Sequence, residues 1–433
     1  SKWGNMHWGH SVSKDLMHWE HLAPAIARDT LGHIFSGSSI VDQENVAGYG
    51  VGSILVFYTS ASDKNGQIQC LAFSKDNGRT FTKYEKNPVL RPSDGLKDFR
   101  DPKVFWYEGT QRWIMVLAVG QEMQIFSSPD LKDWTFESSF GEGYGAHGNV
   151  WECPDLFELP VEGTGEKKWV LLCSLGDGPF GDSATQYFVG SFDGKKFICD
   201  NQPNVTKWMD WGKDHYATVT WSDAPDNRRI AIAWMSNWQY ANDVPTSQYR
   251  SPNSVPRDLS LFAVGDGIYL QSAPSPELLK LRDISKKRSF RVNGTRTVKE
   301  LVPGNEGAYE IELAIRNQHA DVIGFRLYND KGEEVDMQYD MKEKKFSMDR
   351  RKSGDVGFNE NFPMLTWTAI EDGKEELKLR LYVDKSSVEA FGDGGRFAMT
   401  NQVFPSEPYN HIDFYSKGGA YKVDSFVTYK LKK

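Results

Sequence analysis

A short polar turn that occurs four times sets the strongest constraint on how this chain can fold. Ser13-Lys14-Asp15-Leu16-Met17-His18-Trp19 is echoed by Ser74-Lys75-Asp76-Asn77-Gly78, with Phe81 after it. It returns as Ser128-Pro129-Asp130-Leu131-Lys132-Asp133-Trp134, and as Ser191-Phe192-Asp193-Gly194, with Phe197 after it. The four Asp residues lie 61, 54 and 63 positions apart. Each copy ends on an aromatic and follows a β-rich run; such runs stand at 53–58, 113–117 and 169–172. A polar turn between two outer strands reads this way. A β-rich unit recurring at roughly 50 to 60 residues is the pattern of propeller blades, which bury their faces against their neighbours. Strands at 229–234 and 268–270 fit a fifth unit over 216–271. The reading is an all-β chain that opens with a five-bladed β-propeller over 1–275.

The texture changes after Ser272. Pro274-Ser275-Pro276-Glu277-Leu278-Leu279-Lys280-Leu281 reads as a short helix with proline near its start. With Lys286-Lys287-Arg288 it makes a linker over 276–289. From Phe290 short alternating strands take over, at 308–313, 377–383 and 388–391 among others. Turns such as Asn329-Asp330-Lys331-Gly332 and Gly392-Asp393-Gly394-Gly395 separate such runs. This predicts a β-sandwich over 290–433 that carries no catalytic constellation.

Composition narrows the function. A length of 433 residues exceeds one ordinary core, in keeping with two domains. A net charge of −8 with no Lys/Arg-rich run argues against nucleic acid as a partner. No apolar stretch is long enough to span a membrane. Four cysteines, at 70, 153, 173 and 199, lack metal-ligand spacing and are too sparse for a disulfide framework. They read as buried free thiols. Aromatics reach 13%, with 14 Trp, a surplus that suits stacking on sugar rings.

Two acidic segments carry the chemistry. In His147-Gly148-Asn149-Val150-Trp151-Glu152-Cys153-Pro154-Asp155, a carboxylic acid sits between an indole and a Cys-Pro pair. Glycines at 141, 143, 145 and 148 would let the backbone approach a ligand. Apolar neighbours would raise the carboxyl's pKa, as a proton donor to a leaving oxygen requires. About fifty residues upstream, Phe99-Arg100-Asp101-Pro102 sets an Asp beside an Arg that would keep it ionised. One acid tuned up and one held down is the pattern of a glycosidase site.

These segments, in this order, resemble glycoside hydrolase family 32, the family of invertases, inulinases and levanases. The resemblance is carried by Trp3-Gly4-Asn5-Met6-His7-Trp8-Gly9-His10, Phe35-Ser36-Gly37-Ser38, Arg100-Asp101-Pro102, Trp151-Glu152-Cys153-Pro154-Asp155 and Trp234-Met235-Ser236-Asn237-Trp238. Val383-Asp384-Lys385-Ser386-Ser387-Val388-Glu389-Ala390-Phe391 is similar to the family's sandwich signature. The run 237–246 is most similar to the levanase and exo-inulinase branch. The resemblance implies a secreted or periplasmic enzyme that releases fructose from fructans (levan or inulin) or sucrose with retention, without metal or organic cofactor, exo action being expected. It implies Glu152 as general acid/base and Asp101 as the carboxylate that stabilises the transition state. It places Arg100, Trp3, Phe35, Ser36, Asp210 and Trp238 around the sugar. The family's nucleophile is an Asp in a Trp-Met-Asn-Asp-Pro-Asn-Gly motif, which precedes the segment matched by Trp3; no Asp of this sequence sits in such a motif. The expectation is a fragment whose first blade is truncated, with a non-catalytic fructan-binding relative as the alternative.

Overall fold

The computed structural model describes residues 4–93, 95–304, 306–370 and 376–432. Before residue 275 the named strands form five successive antiparallel sheets. The first pairs Trp8–Ser13 with Trp19–Ile26. The second runs from His33–Asp42 to Thr82–Lys83, the third from Arg100–Tyr107 to Thr135–Phe140. The fourth runs from Trp151–Pro160 to Phe197–Cys199, and the fifth from Tyr216–Trp221 to Gly267–Pro274. In the last four, the opening strands pack against one another and form the inside of a β-propeller. The first and last sheets meet where Trp19 stacks on Trp221, centroids 6.3 Å apart.

The recurring Asp builds the same turn four times. Asp15 Oδ1 accepts the N–H groups of Met17 and His18 at 3.0 and 2.9 Å. Asp76 accepts those of Arg79 and Thr80, Asp130 those of Lys132 and Asp133, and Asp193 those of Lys195 and Lys196. A short acidic side chain thereby replaces the strand ladder where the chain reverses. Because Asp15 separates the strands of the two-stranded sheet, that sheet matches the outer half of the others.

Strand alternation knits the sheets together. In Arg112–Val119, Ile114 and Val116 join Leu171, Leu175 and Phe188 of the fourth sheet. Trp113, Met115 and Leu117 point the other way, to Leu55, Phe57 and Leu71 of the second. Successive side chains of one strand thus serve two cores, so the strand reads as unbroken apolar sequence. Each fully buried Leu, Ile or Met contributes roughly 1.5–3 kcal/mol.

Pro276–Leu281 is a short 3-10 helix, after which the expected linker gives way to structure. Residues of the 276–289 stretch enter the strand Arg282–Val292, which pairs with Tyr421–Leu431 at the edge of a six-stranded sheet. The sandwich therefore begins at Arg282 rather than Phe290. Lys286 and Lys287 stay exposed along that edge, where cations discourage further strand addition. A second six-stranded sheet faces the first across one core that includes Ile311, Leu313, Phe325, Val335, Met337 and Phe414.

The two domains are joined by buried charge. Arg257 of the propeller donates to Asp210 and to Glu389 of the sandwich, each at 2.8 Å, with none of its side chain exposed. Arg350 of the sandwich pairs with Asp214 and donates to the Tyr240 hydroxyl at 2.9 Å.

Candidate active site

The inner strand of each of the last four sheets breaks register near its start. The ladder slips between Ile34 and Gly37, Arg100 and Lys103, Glu152 and Asp155, and Tyr216 and Val219. Such bulges re-aim side chains and recur beside active sites. Asp101, Cys153 and Ala217 occupy equivalent bulge positions with φ of 62°, 49° and 53°. For Asp101 and Cys153 this is unusual twice over, since each precedes a proline that favours extended backbone. The residues just before the bulges, Arg100, Glu152 and Tyr216, consequently meet.

Glu152 is the point of convergence. Arg100 donates to its Oε1 from Nη2 at 3.0 Å and from Nε at 3.3 Å, and the Tyr216 hydroxyl donates to its Oε2. The side chain keeps 27% of its surface exposed, so it faces an opening. Trp151 fixes the approach: it is fully buried, with its indole N–H on the Ala146 carbonyl and its ring under His147. Burial and the Glu152 charge push the Tyr216 phenol far up, so it remains a hydrogen-bond donor.

Asp101 lies deeper. Its Oδ2 accepts the Cys153 N–H at 2.9 Å, and its own N–H donates to Thr59 Oγ1 at 3.0 Å. The expected pairing with its sequence neighbour does not form as a hydrogen bond: the Arg100 guanidinium turns to Glu152, to Asp98 at 2.6 Å and to Gln67. Burial pushes the Asp101 carboxyl up to about 6, against the lowering effect of the Cys153 N–H and with a further push from Glu152. The acid held in a dry setting is thus Asp101, whereas Glu152 is ringed by polar donors rather than apolar side chains.

Of the upstream glycines, 141, 145 and 148 serve packing within the protein, whereas Gly143 borders open space. A Cβ on Gly148 would fall 2.2 Å from Asp177 Cγ, and one on Gly145, at φ +72°, would fall 2.4 Å from Gln186 Oε1. Of the four cysteines, 70, 153 and 173 are buried free thiols and Cys199 is half-buried.

The other sequence-predicted residues divide. Phe35 and Ser36 form the bulge of the second sheet, and Ser36 lines a channel of about 430 Å³ with Asp101, Cys153, Trp8 and Trp221. Trp238 is 45% exposed, its ring centred 4.8 Å from that of Trp234, which sits edge-on to Tyr216. Asp210 is not brought to this group. Its carboxylate accepts from Arg257, from the Gly212 N–H and from both the N–H and hydroxyl of Thr400, at the domain interface. Trp3 lies outside the described residues. The sequence reading missed Tyr216, Asp98 and Gln67. Tyr216 could have been found by aligning Tyr216-Ala217 of the fifth unit with Arg100-Asp101 and Glu152-Cys153. Among the described residues no group of three or more His, Cys, Asp or Glu is placed to hold a metal ion. Among the described residues no helix is long and apolar enough to cross a membrane.

Fold and site together define a class: a two-domain all-β protein, with a β-propeller that gathers carboxylates near its axis and a β-sandwich behind it. The chain belongs to glycosyl hydrolases family 32, its residues 1–274 matching the family's N-terminal domain and 277–430 its C-terminal domain. It is 45% identical over 443 residues to a levanase of Bacillus subtilis (strain 168), an alignment that covers 100% of this chain and 65% of the levanase. A levanase of Bacillus sp. (strain L7) is 38% identical over 447 residues, with 98% of this chain and 48% of the relative covered. The chain thus spans less than two thirds of the length of the first of these relatives and about half that of the second. The extracellular exo-inulinase of Aspergillus awamori is 34% identical over 464 residues, 96% of this chain and 85% of the relative. The crystal structure of an exo-inulinase from that organism superposes with a TM-score of 0.91 at 32% identity, covering 100% of this chain and 91% of the other.

Proposed function

We propose that the protein hydrolyses β-fructosidic bonds of fructans or sucrose and releases fructose, acting from the chain end and outside the cell. The observation that carries the reading is the separate anchoring of the two Glu152 oxygens, by Arg100 and by Tyr216, at the opening of the propeller. A carboxyl fixed in this way can deliver a proton along one direction to a leaving oxygen. Asp101, beneath it, would bind sugar hydroxyls and oppose the positive charge of an oxocarbenium-like transition state. Arg100 orients Glu152, while Trp3, Phe35, Ser36 and Trp238 would wall the fructose. Asp210 stands apart from this proposal because all four of its contacts lie in the domain interface. Retention needs a second carboxyl about 5 Å from the acid. The family motif that bears it is not among the 433 residues, and no described acid is assigned that part. The names of the relatives, levanases and exo-inulinases, support the substrate class, and the word extracellular in one of them supports the location.

Incubating the whole protein with levan, inulin, sucrose and arabinan, and separating the products by size, tests the proposal. Free fructose from at least one β-fructoside, with arabinan untouched, is the expected result. Tight fructan binding without release would favour a binding protein, and cleavage of arabinan alone would overturn the reading.

A further inference from the structure

The half-exposed indole of Trp238 does not stand alone at the rim. The backbone N–H of Trp238 donates to Ser183 Oγ at 3.0 Å, and the neighbouring Asn237 side-chain amide donates to the Gly181 carbonyl at 2.9 Å. The next residue along that loop, Phe180, projects to the sandwich and meets the ring of Trp367, centroids 6.4 Å apart. Trp367 is 41% exposed on the outward face of the sandwich edge strand Leu365–Ala369, and the Lys345 ammonium sits 3.8 Å from its ring centre. Two half-exposed indoles on different domains thereby flank one loop, which is bonded to residues 237 and 238 through 181 and 183 and reaches Trp367 through Phe180. The spacing between the domains is held rigidly. Asn359 of the sandwich donates to the Gln239 carbonyl and to Asp243, and Arg350 holds Asp214 and Tyr240.

We propose that Trp238, Phe180 and Trp367 form an aromatic track on which the units of a fructan chain beyond the terminal fructose lie as they pass from the propeller onto the sandwich. The inference rests on the proposed fructosidase activity and names its preferred substrate as a polymer. The occupant follows from continuity with the site: the track starts at the Trp238 ring, which packs on Trp234, itself edge-on to Tyr216, the donor to Glu152. Flat aromatic faces bind the apolar C–H surfaces of sugar rings, and an edge fixed by buried ion pairs loses little freedom when a chain docks. Because Trp367 is half exposed, its replacement leaves the core intact.

The test compares Trp367→Ala, Trp367→Phe and the parent in the whole protein, on long-chain levan and on sucrose. Trp367→Ala should lower kcat/KM on levan roughly fivefold, as loss of one modest contact would. Trp367→Phe should recover part of that loss, and kcat/KM on sucrose should not change. Equal losses on both substrates, or no loss on levan, would overturn the track. If the parent releases fructose from neither, the proposed activity fails. The track is then judged by retardation of a Glu152→Gln protein in levan-containing gels, where adding Trp367→Ala must weaken retention for the track to stand.

Discussion

Replacing Asp210 with Asn separates a structural part from a place in the sugar pocket. Asp210 is 3% exposed and accepts four hydrogen bonds, one of them from Arg257 at 2.8 Å. Asn keeps the shape, removes the charge and turns an amide N–H₂ toward a donor that the carboxylate satisfied. Arg257, wholly buried, would then rely on Glu389. Breaking a buried ion pair costs about 3–5 kcal/mol, and the surviving Glu389 contact places this case near ~3 kcal/mol. At about 2–4 °C per kcal/mol, the melting temperature should fall by roughly 6–12 °C. The pH dependence has a definite sign. Burial alone would raise the Asp210 carboxyl, but Arg257, with the other groups that face the carboxylate, more than offsets it and the pKa falls from 3.8 to about 2. A depressed acid contributes stability that is present above its unfolded pKa and is lost as pH falls from about 4 toward 2. Asp210→Asn should lack that part of the acid-side loss. Calorimetric scans between pH 2.5 and 7, with fructose-release kinetics per folded molecule, are the assay. An unchanged melting temperature together with a large rise in KM would refute the reasoning and return Asp210 to the sugar pocket.

Asp101→Asn should lower kcat and kcat/KM together with a modest change in KM, the pattern of a contact made in the transition state; a pure KM effect would reduce it to a binding residue. Because burial raises Asp101 from 3.8 to about 6, its contribution to stability is full below about 4 and is lost as pH rises through 6. The wild type should therefore lose roughly 3 kcal/mol relative to Asp101→Asn across that window, which urea melts at pH 4 and 7 would detect. Tyr216→Phe removes the donor on Glu152 Oε2 and should lower kcat/KM about tenfold, the size of one hydrogen bond to a charged group; unchanged kinetics would remove Tyr216 from the site. Trp238→Ala should raise KM with little change in melting temperature, since the ring is 45% exposed, whereas a core Trp would cost about 3–5 kcal/mol.

The architecture was legible because its signals are local. An Asp that caps a turn does so through atoms two to four residues away, so Asp15, Asp76, Asp130 and Asp193 announce the outer hairpins directly. The strands between neighbouring sheets are legible for a related reason, being apolar on both faces. The electrostatics of the site were not. Arg100 and Asp101 are adjacent in sequence, yet the bulge separates their directions, and the strongest partner of Arg100 is fifty-two residues away on the next inner strand. Lys286-Lys287-Arg288 resembled a linker because an exposed edge strand carries the same charges. Gly145 and Gly148 before Trp151 suggested room for a ligand, whereas Gln186 and Asp177 fill the space beside them.

The central claim is that Glu152, gripped by Arg100 and Tyr216, gives the proton to the leaving oxygen of a fructoside. Turnover of a Glu152→Gln protein on levan, and on a β-fructoside with a leaving group that needs no protonation, tests it most directly. The account predicts a fall of about 10²–10⁴-fold on levan, the range of general acid catalysis, and a much smaller fall on the activated substrate. Near-normal turnover on levan would contradict it, as would equal losses on both substrates.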